Sequence, residues 1–151
     1  MAGNAIYIRG LDQLIAKMQN PRHVSVPARR FLQRATMVGE ASAKKAAPVD
    51  TGHLRRSITH RVDGYTVGRF GTNTPYGPHV EYGTKAHWPP VEALGGWAKR
   101  KGIPPGAVAA AIAKRGTRAQ PYMRPAVKDV EAAIPALSAM FMRDIEASMG
   151  I

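Results

Sequence analysis

Apolar positions fall into two long helical patterns separated by a stretch of shorter elements. Between Val26 and Pro48, the residues Ala28, Phe31, Leu32, Ala35, Val38 and Ala41 recur three and four apart, the spacing of one helix face. Pro27 suits a first-turn position, and the helix should stop before Pro48. Val127, Val130, Ile134, Leu137, Phe141 and Ile145 repeat in the same way and predict a long C-terminal helix with a kink at Pro135. Between these helices, residues 57–62 and 65–70 have strand composition, and Asp63-Gly64 is a pair suited to a tight two-residue hairpin.

The shorter segments complete the pattern. Residues 4–9 alternate as a strand, followed by a short helix carrying Leu11, Leu14, Ile15 and Met18 that Asn20-Pro21 ends. Residues 71–78 form a loop by composition, pinned by its aromatics, which leads into a short turn or strand at 79–84; residues 118–123 predict another strand. Residues 88–117 differ in character: two short helical patterns, 91–101 and 105–115, divided by Gly102-Ile103-Pro104-Pro105, give an inserted helical hairpin. The expected fold is α+β: a small, mainly antiparallel sheet packed against long N- and C-terminal helices, with residues 1–151 as a single domain and 88–117 as its insertion.

Composition narrows the chemistry. The 151 residues leave room for one hydrophobic core, and 44% hydrophobic against 21% charged residues marks a folded chain. With no cysteine, disulfides, a thiolate nucleophile and every cysteine-bearing zinc site are excluded. No run approaches the roughly 20 apolar residues of a membrane span, and the acid and turn near the N-terminus do not fit a signal peptide, so a soluble protein with no membrane partner is expected. The 22 Lys and Arg against 10 Asp and Glu give a net charge of +12, which favours polyanionic or acidic neighbours. That charge is dispersed rather than gathered in a tail, and the polar side of the first long helix (Arg29, Arg30, Gln33, Arg34, Glu40, Lys44, Lys45) reads as a solvated face or a docking face.

Candidate catalytic groups are sparse. His79-Val80-Glu81 has the H-x-E spacing of zinc deaminases, but that chemistry needs cysteine ligands this chain lacks. His79, Glu81 and His87 would hold a cation only if a loop gathered them, and there is no H-E-x-x-H. No serine sits in a G-x-S-x-G turn, and the glycines at 64, 68 and 71 match no nucleotide-cradling motif. A hydrolase built on His79, Glu81, or Asp50 with His53 would require those groups to converge. Asp129, Glu131, Asp144 and Glu146 read as solvated helix charges. No catalytic residue, cofactor or metal is predicted.

Three blocks carry a resemblance: residues 47–58 (APVDTGHLRRSI), 76–84 (YGPHVEYGT) and 119–126 (AQPYMRPA). In this order they resemble the phage neck and tail-completion family, morphogenesis proteins of tailed double-stranded DNA phages grouped with the lambda-type minor tail protein Z. That family shows A-P-V-D-T-G-x-L-x-x-S-I, then Y-A-x-x-x-E-x-G-T, then P-[FY]-[LM]-x-P-A before a last helix. The chain departs from it at Gly77-Pro78, which bears on the local loop conformation. The resemblance implies a non-enzymatic virion protein, assembled in the host cytoplasm, that joins head to tail as a ring of identical subunits around the DNA channel. Six subunits follow by analogy with tail-tube symmetry. Implied partners are other copies of the chain, head-closure or connector proteins, tail terminator or tube proteins, and the passing double-stranded DNA.

Each block should supply a rigid corner: one capped by Asp50 and Thr51 on the amides of residues 53–55, one stapled by Tyr76, Glu81 and Tyr82, one locked by Pro121 and Pro125. Pro48, Gly52, Leu54, Ile58, Gly83, Thr84 and Pro125 read first as residues that hold the monomer together. Arg55, Arg56, Glu81 and Arg124 are the candidates for contacts between subunits or with partners. The competing reading is a free basic nucleic-acid-binding protein, motivated by the charge and expected to bind DNA with steep salt dependence.

Overall fold

The computed structural model describes residues 16–150 apart from Met18; the strand expected at 4–9, and most of the short helix after it, lie outside the described residues. The first long helix, α1 (Arg22–Ala46), begins earlier than the apolar spacing implies. Asn20 Oδ1 accepts the Arg22 N–H at 3.0 Å and so satisfies one of the donors a helix start leaves unpaired. Pro27 therefore stands inside the helix, buried, rather than in its first turn. The helix ends as expected, with the Ala47 N–H on the Ala43 carbonyl at 2.9 Å and Pro48 unable to continue it.

The C-terminal helix α6 (Met123–Met149) keeps Pro135 within one continuous element and runs antiparallel along α1. Phe31 and Phe141 stack with centroids 5.7 Å apart, and the Ser148 hydroxyl donates to the His23 carbonyl at 3.0 Å. Two carboxylates expected to be solvated instead join the pair: Asp144 accepts from Arg34 at 2.8 Å and Asp129 from Ser42 at 2.5 Å. Facing helices bring these groups within reach, which helical spacing on one element alone does not reveal.

Strands β1 (Thr59–Asp63) and β2 (Val67–Gly71) form one antiparallel hairpin, in register from Thr59 opposite Gly71 to Asp63 opposite Val67. That register leaves three residues, Gly64 to Thr66, in the turn instead of the two expected. The hairpin packs on α1 and approaches it through two glycines. A Cβ on Gly39 would sit 2.5 Å from the Phe70 ring, and one on Gly68 would sit 2.7 Å from Thr36 Cγ2. Glu40, on α1, accepts from Lys44 one turn on and pairs with His60 on β1, so part of the polar helix face is used within the fold.

The remaining elements are helical: α2 (His53–Ser57), α3 (Gly77–Tyr82), α4 (Val91–Lys101) and α5 (Pro105–Arg115). Residues 79–84 thus fall mostly in a helix, which the Pro at its start favours, and 118–123 form no strand; both segments have β composition, but among the described residues they meet no partner strand beyond a single bridge at Thr84. The α+β class holds, with the sheet among the described residues reduced to the β1–β2 hairpin. Both inserted helices keep the bounds that their Pro and Gly punctuation predicts. The core gathers Ala43, Ala47, Leu54, Ile58, Tyr122 and Ala126, so it joins α1 to the first and third sequence blocks.

A narrow neck carries the insertion. Thr84 and Thr117 form an antiparallel bridge with N–H to carbonyl bonds of 3.2 Å in both directions, and their hydroxyls lie 3.0 Å apart. Each threonine is preceded by a glycine in a conformation nearly restricted to glycine: Gly83 at φ 71, ψ −174 and Gly116 at φ 72, ψ −161. A Cβ on Gly83 would lie 2.5 Å from the Thr117 carbonyl oxygen, and one on Gly116 would overlap that of Thr84. Gly83→Ala and Gly116→Ala should each cost at least about 2 kcal/mol. Gly106→Ala, in open space on α5, should change stability by less than about 0.5 kcal/mol. Thermal melts that rank the three alike would contradict the strained neck.

Candidate functional site

Helix α3 is short, and its work is done by two residues. Val80 packs on the core, and Glu81 turns inward to 3% exposure at the start of α6. A helix start exposes N–H groups that no turn behind them can accept, and Tyr122, at the cap position, has no side chain that can cap them. Glu81 supplies the missing acceptors from 41 residues away. Its Oε2 accepts the Tyr122 and Met123 N–H groups at 2.7 and 2.8 Å, and its Oε1 accepts that of Arg124 at 3.2 Å. The next residue, Pro125, has no N–H to satisfy.

Electrostatics agree with the geometry. Burial pushes the Glu81 carboxyl upward, but the three backbone donors, helped by the nearby Arg124 charge, outweigh it and hold the group below its ordinary 4.5. The positive end of the α6 dipole acts in the same direction. Tyr122, fixed by this cap, drives its ring into the core at 1% exposure, and burial followed by the Glu81 charge raises its phenol. A further bond, from the Gln120 N–H to the Val80 carbonyl at 2.8 Å, joins the second and third blocks.

The other predicted residues separate into two groups. Leu54 and Ile58 are core residues, Gly52 starts α2 in the left-handed region at φ 76, and Pro48 is half-buried. Tyr76 and Tyr82 are exposed, so Glu81 is the staple of that corner and the aromatics are not. Hydroxyls hold the 71–76 loop instead: Ser57 and Thr72 meet at 2.6 Å, and Thr72 and Thr74 at 2.9 Å. The expected capping by Asp50 is replaced by an ion pair. Asp50 turns to α4 and takes both Nε (3.0 Å) and Nη2 of Arg100, while Thr51 Oγ1 accepts the His53 N–H only at 3.4 Å. Pro121 is exposed and Pro125 half-buried in the first turn of α6.

Of the four contact candidates, Glu81 is the inward cap just described, and the three arginines are exposed. Arg55 and Arg56 reach back to the Ala47 and Thr51 carbonyls at 3.4 and 3.1 Å, and Arg124 lies over the Tyr82 ring, 5.4 Å from its centroid. His79, Glu81 and His87 are not gathered: no metal-holding cluster occurs among the described residues, and His87 Nδ1 faces the Lys85 carbonyl at 2.9 Å. Nor does Asp50 orient His53, whose ring neighbours Tyr76 at 6.3 Å.

Beside the cap lies a feature that sequence reasoning missed. A cleft of about 1040 Å³ opens between α3 and the inserted helices. Val80, Leu94, Trp97, Val108 and Ile112 line it, and Lys85, Arg115 and Arg118 stand at its edge. Arg100 and Trp97 were unmarked in the sequence because their partners, 50 residues distant or across the cleft, are set by the neck.

The described residues thus form a small α+β chain with a carboxylate-capped terminal helix and a tethered helical pair. Residues 12–83, just under half of the chain, match the HK97-gp10-like family model, described as "Bacteriophage HK97-gp10, putative tail-component". The match supports a phage tail or neck family; it does not single out the lambda-type minor tail protein Z group. It takes in the first block and the second as far as Gly83, and stops before the insertion and the third block. No curated protein and no solved structure matches the chain. Among the described residues, no helix is long and apolar enough to cross a membrane.

Two predictions follow from the two carboxylates. Glu81→Ala strands buried donors and should cost about 3 kcal/mol or more in chemical denaturation. Because the folded-state carboxyl lies below its ordinary value, its contribution is present above about pH 4.5 and is lost as pH falls through the folded value. Glu40, Asp50 and Asp63 are lowered too and add slope of the same sign, so the Glu81 share is the difference between wild type and Glu81→Gln. That variant should show a flatter loss of stability below pH 4.5. Asp50→Asn, by contrast, breaks an exposed pair and should leave the melting temperature nearly unchanged while speeding amide exchange across 91–115. Unaltered exchange there would show that Asp50 does not hold the insertion.

Proposed function

We propose that the chain is a structural protein of the phage neck or tail top that joins head to tail as a ring of identical subunits around the DNA channel, six by analogy, with no bond made or broken. The observation that carries this reading is the family match over residues 12–83. The site chemistry supports it. The two carboxylates that a hydrolase would have used are committed elsewhere, Glu81 to backbone donors and Asp50 to Arg100. In a ring each subunit presents one edge to a different edge of the next, which demands surfaces of fixed relative placement. The neck bridge and the Glu81 cap provide that stiffness. The exposed Arg55, Arg56 and Arg124 then face neighbouring copies, connector or tube proteins of acidic surface, or the passing duplex.

Deletion of the gene in its phage tests the reading. Electron microscopy should show full heads and finished tails that fail to unite, and mass spectrometry should find the chain in purified wild-type particles. Absence from particles, or normal joining after deletion, overturns the proposal. Tight DNA binding by the isolated monomer, steeply weakened by salt, would move the assignment to a free nucleic-acid-binding protein.

A further inference from the structure

We propose that the cleft between α3 and the inserted helical pair receives a short acidic amphipathic helix of a partner protein. The assembly reading above supplies that partner as a neighbouring virion subunit; the ligand chemistry follows from the cleft alone. Its floor is apolar, contributed by both walls, and Trp97 remains 38% exposed within it. Leaving such a surface open to water forfeits the free energy its burial would give, and an exposed apolar groove with a charged rim is the usual form of a helix-docking site.

Charge identifies the occupant. Among the described residues, Lys85, Arg115 and Arg118 make no ion pair and no Asp or Glu lines the cleft. Arg55 and Arg56 likewise reach only carbonyls, but several cations elsewhere have carboxylate partners: Arg100 with Asp50, Arg61 and Arg69 with Asp63, Arg34 with Asp144. The rim of this cleft is left without them, so its complement is an acidic edge on an apolar face. DNA fits poorly, because phosphates would meet the rim but nothing on the outside of a duplex would cover Leu94, Trp97 and Ile112.

Size agrees. Two turns of helix, about 11 Å long and 10–12 Å across, fill roughly 850–1200 Å³, against a cleft of about 1040 Å³. Both walls are set before any ligand arrives: one by the bond from Gln120 to Val80 beside the Glu81 cap, the other by the Thr84–Thr117 neck and the Asp50–Arg100 pair. A preset groove spares the ordering cost that binding otherwise carries.

The full-length protein is titrated with an acetylated 14-residue peptide bearing leucines along one helical face and glutamates elsewhere, followed by tryptophan fluorescence and calorimetry. Comparison ligands are its lysine-for-glutamate version and a 20-base-pair duplex. Saturable binding of the glutamate peptide is expected, with at least about tenfold weaker binding of the lysine version. The same loss is expected on Trp97→Ala and on the double reversal Lys85→Glu with Arg118→Glu, whose exposed sites should leave the fold intact by circular dichroism. No binding of the glutamate peptide, equal binding of the lysine version, binding indifferent to those variants, or duplex binding that depends on Trp97 would each overturn the proposal. Failure of the peptide with the chain present in purified particles removes the cleft proposal and leaves the assembly reading standing. Peptide binding by a chain absent from particles upholds the cleft chemistry and overturns the assembly reading.

Discussion

A carboxylate buried among backbone donors decides where the last helix starts. Taking a charge out of water is costly unless it is met by hydrogen bonds, and Glu81 is met by three at the positive end of a helix. From this one contact several others follow. It fixes the first turn of α6, and so the register in which Phe141 and Asp144 reach Phe31 and Arg34 on α1. It seats Tyr122 among Ala43, Leu54 and Ile58, so the core closes only when the second and third sequence blocks have met. Two short motifs some 40 residues apart are therefore one structural unit. Their residue types make sense only together: an acceptor in one block, and bare donors followed by a proline in the other.

The neck explains how a segment as long as 85–116 can stand between the two halves of that unit. Thr84 and Thr117 bring its ends to adjacent positions, so the chain leaves and re-enters the body at one point, and the entropy of closing the loop between them grows only slowly with its length. Helices α4 and α5 pack chiefly on each other, and beyond the neck the Asp50–Arg100 pair ties them to the body. A body whose geometry is fixed by buried bonds and an appendage tethered at its edges leave a cleft of about 1040 Å³ between them.

How much of this was legible in the sequence depends on whether the cause was local. The long helices, α4, α5 and the existence of the hairpin were, because hydrophobic spacing and Pro or Gly punctuation act within a few residues. What failed had distant causes. Asp50 beside Thr51 and Gly52 has every local mark of a cap, but Arg100 competes for it with a bidentate charged bond. Residues 118–123 have strand composition yet find no strand to pair with among the described residues. Glu81 read both as a staple of its own corner and as a contact with other subunits; it is a staple, but its partners are the backbone donors of the third block. The clue lay elsewhere in the chain: a 27-residue helix starting after Tyr122, with no Ser, Thr, Asp or Asn at its cap, must find an acceptor outside its own neighbourhood.

The fate of the carboxylates also bears on the ring proposed above. Glu40, Asp50, Asp63, Glu81, Asp129 and Asp144 are all engaged within the chain, so the field at its surface is set by lysines and arginines they leave uncompensated. Identical copies, each at +12, repel one another on approach. Apolar burial between copies must therefore exceed that repulsion, or an acidic neighbour must relieve it first. For the proposed ring the second route would order assembly in time, because a cationic subunit would stay dispersed until an anionic surface gathered several copies and screened them from one another. In the proposed ring, charge that looks like a signature of nucleic-acid binding would serve as a device against premature self-association, and the same cations would become docking contacts on the acidic surface.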